Sequence, residues 1–325
     1  MIPAACAALA ASVLFAILAP RLGGRLPPAA ATRLLVPASL VVAGCTVFLL
    51  GVLAFTWVGQ LPALAAFGEW STGILDATDP IPEPVAVASF LLLAAMMLIA
   101  FRGVGRRIRA LAAVYRTYRG WRPSSPLIVL DIPRVDAFTT PAPAGRVVVT
   151  AGLLRAVTPL ERRVVLAHEH SHLNHRHSWW ALAADLAAAF NPLLRPTATT
   201  VGHAIERWAD EDAARAVGDR YLVARTLARV ALLQHHAPAL EGVTASATGG
   251  NVSRRAQALL APPPPRRPLA LAVLSGVLLV GLVATAAVED AGDQLFDHAG
   301  PAHCVRITAP LLTLDHSPLT LAVPR

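Results

Sequence analysis

His168-Glu169-His170-Ser171-His172 reads H-E-x-x-H, a spacing that can grip a divalent metal ion. On a helix the outer two histidines lie one turn apart on one face, with about 6 Å between Cβ atoms, so both imidazoles can reach one Zn2+. Glu169, beside the first ligand, is placed to act on a water at that metal. Chance is a poor rival: 11 histidines and eight glutamates in 325 residues give about 0.009 expected matches. The competing reading is a helix with incidental histidines.

A catalytic zinc takes three protein ligands and keeps one position for water, so a third ligand is needed. In Glu206-Arg207-Trp208-Ala209-Asp210 two acids stand at i and i+4 on one helix face. Glu206 is the candidate ligand and Asp210 the candidate acceptor of a hydrogen bond from a ligand histidine, which would fix that ring's tautomer. The alternative is an exposed helix on which Glu206, Asp210, Glu211 and Asp212 pair with Arg207 and Arg215. His175 reads as a solvated helix end in preference to a group near the site, and His170 and His177 read as surface residues. His203 reads as a satisfied helix histidine or as a group touching the site. Arg220 and Tyr221 are possible oxyanion stabilisers that no spacing demands. The chemistry these groups support is amide hydrolysis. Zn2+ lowers the pKa of a water toward about 7 and polarises the carbonyl, and Glu169 carries the proton to the leaving amine. A strand at Arg146–Thr150 is expected to receive an extended substrate by edge pairing.

Local signals place these residues on elements. Thr158-Pro159-Leu160-Glu161 is a capping box with proline at the first helical position, so the metal motif lies on a helix. Leu127–Asp131, Ala137–Thr139 and Arg146–Thr150 read as strands of a small sheet, with a turn at Pro141, Pro143 and Gly145. Ser178–Phe190 is apolar but too short to span, and reads as a buried or membrane-surface helix ending at Asn191-Pro192. Helices are expected from about Thr199 to Val217, closed by Gly218, and from Asp219 to about His236, with a short basic helix near Ser253–Leu260 before Pro262–Pro265.

The wider chain is too apolar for a soluble domain. Hydrophobic residues make up 55%, charged residues only 15% and the mean hydropathy is +0.55, against about a quarter charged in ordinary globular proteins. Four runs approach or reach a spanning length: Ile2–Ala19, Ala38–Val58, Val85–Phe101 and Leu269–Val288. Arginines mark one side. Arg21, Arg25 and Arg33 follow the first run, Arg102 to Arg122 follow the third, and Arg266 and Arg267 precede the fourth, while Glu69, Asp76, Asp79, Glu83, Glu289, Asp290, Asp293 and Asp297 lie on the other side. The expectation is a mainly α membrane protein: three N-terminal spans within 1–101, a cytoplasmic α+β zinc domain at 102–267, a fourth span at 268–288 and a short extracytoplasmic tail at 289–325. Both termini are expected outside, in a plasma membrane, with the first span uncleaved. All 28 basic residues are arginine, but their place beside apolar runs points to topology, so nucleic acid is not an expected partner. The spans carry no ionisable residue for a transport path. Cys6, Cys45 and Cys304 form no paired framework.

The runs Ala137–Pro141, Gly145–Leu154, Leu166–His172 and Glu206–Ala214, in that order, resemble the membrane gluzincin peptidases. Two groups share this order: family 48, which includes the HtpX and CAAX-processing proteases, and family 56, the BlaR/MecR-type antirepressor peptidases. The four-span topology is similar to family 56. The resemblance implies zinc on His168, His172 and Glu206, a general base at Glu169 and a supporting carboxylate at Asp210. It also implies a protein or peptide substrate, which in family 56 is a transcriptional repressor, and a sensor or repressor partner. Only residues 289–325 follow the last span, so no penicillin-binding domain is expected there. An HtpX-like quality-control protease and a non-catalytic zinc-binding receptor or scaffold are the alternatives. An intact Glu169 argues against the last, since a structural zinc needs no base.

Overall fold

The computed structural model describes residues 1–118, 127–140, 145–235, 249–262 and 267–300. The expected turn at Pro141 and Pro143, the helix end at His236, Pro263–Pro265, the arginines Arg119, Arg122 and Arg266, and the tail beyond Gly300 lie outside these residues. Among the described residues four helices are long and apolar enough to cross a membrane: α1 (Ile2–Gly23), α2 (Pro28–Val58), the Glu83–Arg106 part of α5 (Glu83–Tyr118), and α12 (Pro268–Ala299). Each contains one of the expected runs and overshoots it. Hydropathy sees only the apolar window, whereas a helix continues until its backbone meets a stop signal. Phe101, Leu91, Leu279 and Val283 are over 60% exposed on the outside of this bundle, an apolar surface of the kind lipid covers.

The ends of the bundle differ chemically. The start of α1, the end of α2, the start of α5 and the acidic end of α12 meet at one end, where Leu49, Leu53, Ile81, Ala86 and Val288 pack together. The short helices α3 (Pro62–Gly68) and α4 (Thr72–Thr78) close that end. Trp70 lies edge-on to Phe296 at 5.2 Å and donates from Nε1 to the Gly59 carbonyl at 2.8 Å, which accounts for the extension of α12 past the apolar run. The other end carries the arginines and the remaining elements.

There β1 (Leu127–Leu130), β2 (Ala137–Thr139) and β3 (Val147–Thr150) form a three-stranded sheet of order β1-β3-β2, with β1 parallel and β2 antiparallel to β3. This overturns the expected docking on Arg146–Thr150. β3 is the middle strand, buried at all four positions, and both of its edges are already paired. Among the described residues the outer strand beside the metal motif is β2. α6 (Ala151–Ala156) leaves β3 at once. A Cβ at Gly152 would sit 2.1 Å from the Pro133 carbonyl oxygen, so only glycine fits that crossing.

α7 (Pro159–Asn174) starts at the predicted capping box: Thr158 Oγ1 accepts from the Glu161 amide at 3.3 Å, and Glu161 Oε2 accepts from the Thr158 amide at 2.8 Å. α8 (His177–Phe190) then enters the bundle, a 3-10 turn at Pro192–Leu194 reverses the chain, and α9 (Arg195–Val217) returns. α9 begins four residues before the expected Thr199, because Pro196 at its start needs no amide partner. Ala184, Ala187, Ala188, Leu194, Val201 and Ile205 of this hairpin are buried against Phe15 and Ala19 of α1 and Leu35 and Val42 of α2. At its tip the Asn191 amide donates to Ser12 Oγ at 3.3 Å and Thr46 Oγ1 at 3.1 Å, while its Oδ1 accepts from the Leu193 amide. Ser12 is midway along α1, so the tip lies at mid-height of the spans, with its polar atoms satisfied. One face of α8 is therefore packed against the spanning helices. α10 (Arg220–His235) starts with Asp219 Oδ1 accepting from the Leu222 amide, and α11 (Gly249–Leu260) precedes α12.

Candidate metal centre

α7 and α9 lie side by side and bring the two motifs together. His168 Nε2 and His172 Nε2 face each other at 3.1 Å. Glu206 Oε2 is 3.7 Å from the first and Oε1 is 3.7 Å from the second. The ligand atoms of His168, His172 and Glu206 all lie within 4.8 Å of one another. Donors about 2.0–2.1 Å from a tetrahedral zinc are separated by about 3.3 Å, so this donor set fits a small divalent cation after shifts of a few tenths of an ångström. A tetrahedral ion held by these three would have one position left for a non-protein ligand.

The surroundings orient these groups. Asp210 Oδ1 is 3.1 Å from His168 Nδ1, on the far side of that ring from Glu206, the position a tautomer-fixing carboxylate takes. Burial opposes charge on His168, but the Asp210 and Glu206 carboxylates outweigh it and push its pKa up to about 10. Burial, reinforced by the charge on His168, pushes His172 down to about 4. Metal-free, the pair thus carries one excess proton, on His168, which a metal must displace. For Glu206 burial favours the neutral acid, yet His168 and Arg255 hold its pKa far below the usual carboxylate range. Glu169 is 8% exposed, and burial, with Glu206 and Asp136 adding to it, raises its pKa. That direction suits a carboxylate that must take up a proton.

Two residues at the site escaped the sequence reading. Arg255 of α11 is 5% exposed; its Nε and Nη2 donate to the two oxygens of Asp210 at 2.8 and 2.7 Å, and its Nη1 lies 2.9 Å from Glu206 Oε2. The sequence signal was helical periodicity, because Val252, Arg255 and Leu259 share a face and both apolar members are buried. His177, expected at the surface, is 1% exposed and its Nδ1 lies 3.1 Å from His172 Nδ1. It is buried because Arg176 takes a left-handed conformation, φ 52 and ψ 45, which turns the first residue of α8 back beneath α7.

The remaining expectations divide. His175 is not a solvated end: its Nε2 meets Asp212 Oδ2 at 2.8 Å and its ring stacks on Trp208 at 4.4 Å. His170 is exposed, as expected. Burial and Arg254 lower the pKa of His203. Asp212 pairs with Arg215, as the exposed-helix alternative foresaw, and Glu211 pairs with Arg220. Arg220 also donates to the Leu259 and Ala258 carbonyls, capping α11 away from the metal cluster, and Tyr221 is 65% exposed. A cavity of about 170 Å3 opens beside His172, between Thr139 and Thr140 next to the β2 edge and Trp179 of α8.

Residues 106–191 match the family model described as peptidase family M48. The match takes in the sheet, α7 and the whole of α8, including His168, Glu169 and His172, and ends before Glu206, Asp210 and Arg255. No solved structure matches this chain. Over that segment, with a carboxylate from α9 closing on its two histidines, the chain is related to the family 48 metallopeptidases.

Proposed function

We propose that this chain is a membrane-bound zinc endopeptidase that cuts a cytosolic or membrane-proximal protein. The observation that carries the reading is the convergence of His168, His172 and Glu206 from two helices, with Glu169 beside them. In it the three hold the ion and Asp210 orients His168. The ion, when bound, supplies Lewis-acid activation of water and of the scissile carbonyl. Glu169 accepts the proton of the attacking water as the oxygen–carbon bond forms, and passes it to the amine nitrogen as the carbon–nitrogen bond breaks. The substrate strand lies along the outer strand β2, in place of the middle strand β3, and runs past the cavity beside His172.

The arginine-rich end of the bundle, which holds the site, is the cytoplasmic end in this reading. Residues 102–267 then supply the catalytic unit, with its α8–α9 hairpin inside the bundle, and both termini lie outside the cell. Two substrate classes follow from the related groups: a transcriptional repressor, as in BlaR-type signalling, or damaged membrane proteins, as in HtpX-type quality control. The match to family 48 fits the HtpX-type class and gives no particular support to a repressor substrate. Whole-cell protein fragments from strains carrying the wild type or Glu169→Ala test the proposal. Loss of defined fragments, with zinc still bound, is expected. A single repressor fragment supports the signalling arm and many membrane-protein fragments support quality control, whereas unchanged fragments refute hydrolysis by this site.

A further inference from the structure

We infer that His177 is a positioning residue for His172, accepting a hydrogen bond that fixes His172 in its metal-binding tautomer. The inference rests on reading His168, His172 and Glu206 as a metal site. A neutral imidazole carries one proton, on Nδ1 or on Nε2. His172 Nε2 points at the ligand cluster, 3.1 Å from His168 Nε2 and 3.7 Å from Glu206 Oε1. To offer that lone pair to a metal, His172 must carry its proton on Nδ1, which lies 3.1 Å from His177 Nδ1. His172 then donates and His177 accepts. The reverse arrangement, with His177 donating, moves the His172 proton onto Nε2, where it blocks the metal. The direction of one hydrogen bond thus decides whether the second histidine can ligate.

The accepting role has a cost that metal binding at His172 must offset. With Nδ1 as acceptor, the single proton of His177 sits on Nε2, which is buried and has no partner among the described residues. The ring has little freedom to turn away. It meets His172 edge-on at 4.9 Å and 85°, and Trp208 lies 4.9 Å away on the α9 side. Trp208 is held in turn by Arg33 of α2, 4.7 Å over its ring. The two ligand histidines are therefore oriented differently: His168 by the carboxylate of Asp210 and His172 by a neutral ring from the adjoining helix.

Zinc affinity of the purified full chain in detergent, measured by competition with a chelating dye, tests this without reference to hydrolysis. His177→Leu keeps the bulk and removes the acceptor, and affinity is expected to fall about 10- to 100-fold. His177→Asn places an oxygen where Nδ1 stood and is expected to stay within about threefold of wild type, while His177→Gln, one methylene longer, falls with the leucine variant. Should the leucine variant misfold, the Asn and Gln pair decides the matter. Equal affinity across wild type and all variants overturns the inference, as does an Asn variant as weak as Gln. A wild type that binds no zinc removes the metal site and the inference together. Normal zinc affinities without hydrolysis leave the inference standing and refute only the peptidase reading.

Discussion

Replacing Arg255 with alanine is the sharpest perturbation of the site that leaves all three proposed metal ligands in the sequence. Arg255 and Asp210 are 5% and 3% exposed and share two hydrogen bonds of 2.8 and 2.7 Å. Deleting one partner of such a pair leaves the other charge buried, which costs about 3–5 kcal/mol. The Glu206 contact adds less, because that carboxylate is 28% exposed and solvent screens it. Asp210 retains His168 as a partner, so the lower half of that range is expected, about 3 kcal/mol. For a chain of this size that loss lowers the melting temperature by about 4–5 °C, read by intrinsic fluorescence of the metal-free full chain in detergent. Arg255→Lys keeps the charge but loses the fork and should fall between the two. A melting temperature for Arg255→Ala within about 2 °C of wild type would refute the view that this arginine holds the two α9 carboxylates in place.

Three further outcomes follow from the same contacts. Glu206→Ala should lower zinc occupancy of the purified chain, measured by elemental analysis; full retention rejects Glu206 as third ligand. Asn191→Ala removes the donors to Ser12 and Thr46 at the hairpin tip and should cost about 1–2 kcal/mol, a smaller melting shift than Arg255→Ala, and a shift of equal size would count against the ranking. Burial favours protonation of Glu161, but hydrogen bonds from Thr158 and the Arg229 guanidinium outweigh it and hold its pKa low. A depressed folded pKa contributes stability above the unfolded value of about 4.3, and that contribution is lost as pH falls through the folded pKa. The melting temperature should therefore drop below about pH 4 in the wild type and drop less in Glu161→Gln, and parallel curves would contradict this.

What the sequence made legible was local. The histidine pair, the Thr158–Glu161 box and the Glu206–Asp210 spacing each lie within about one helical turn, where 3.6-residue periodicity alone sets the geometry. The strand order was not local, since three short apolar strands pair equally well in several orders. Yet the unbroken apolar run Val147–Val149 already marked a strand covered on both faces and suited to the middle of a sheet. His177 could not be placed from spacing, because its burial depends on a left-handed Arg176, where glycine or asparagine would have signalled the turn. Arg255 is 45 residues from Asp210, and only the apolar neighbours on its own helix face hinted that it points inward.

The claim on which the account depends is that Glu169 moves the proton in a zinc-assisted hydrolysis. Its most direct measurement is the rate at which purified, zinc-loaded full-length protein in lipid vesicles cleaves an unfolded protein substrate, wild type against Glu169→Gln at matched zinc content. The account predicts cleavage by the wild type and a rate about 10²- to 10⁴-fold lower for the variant. Equal rates at equal zinc would contradict it.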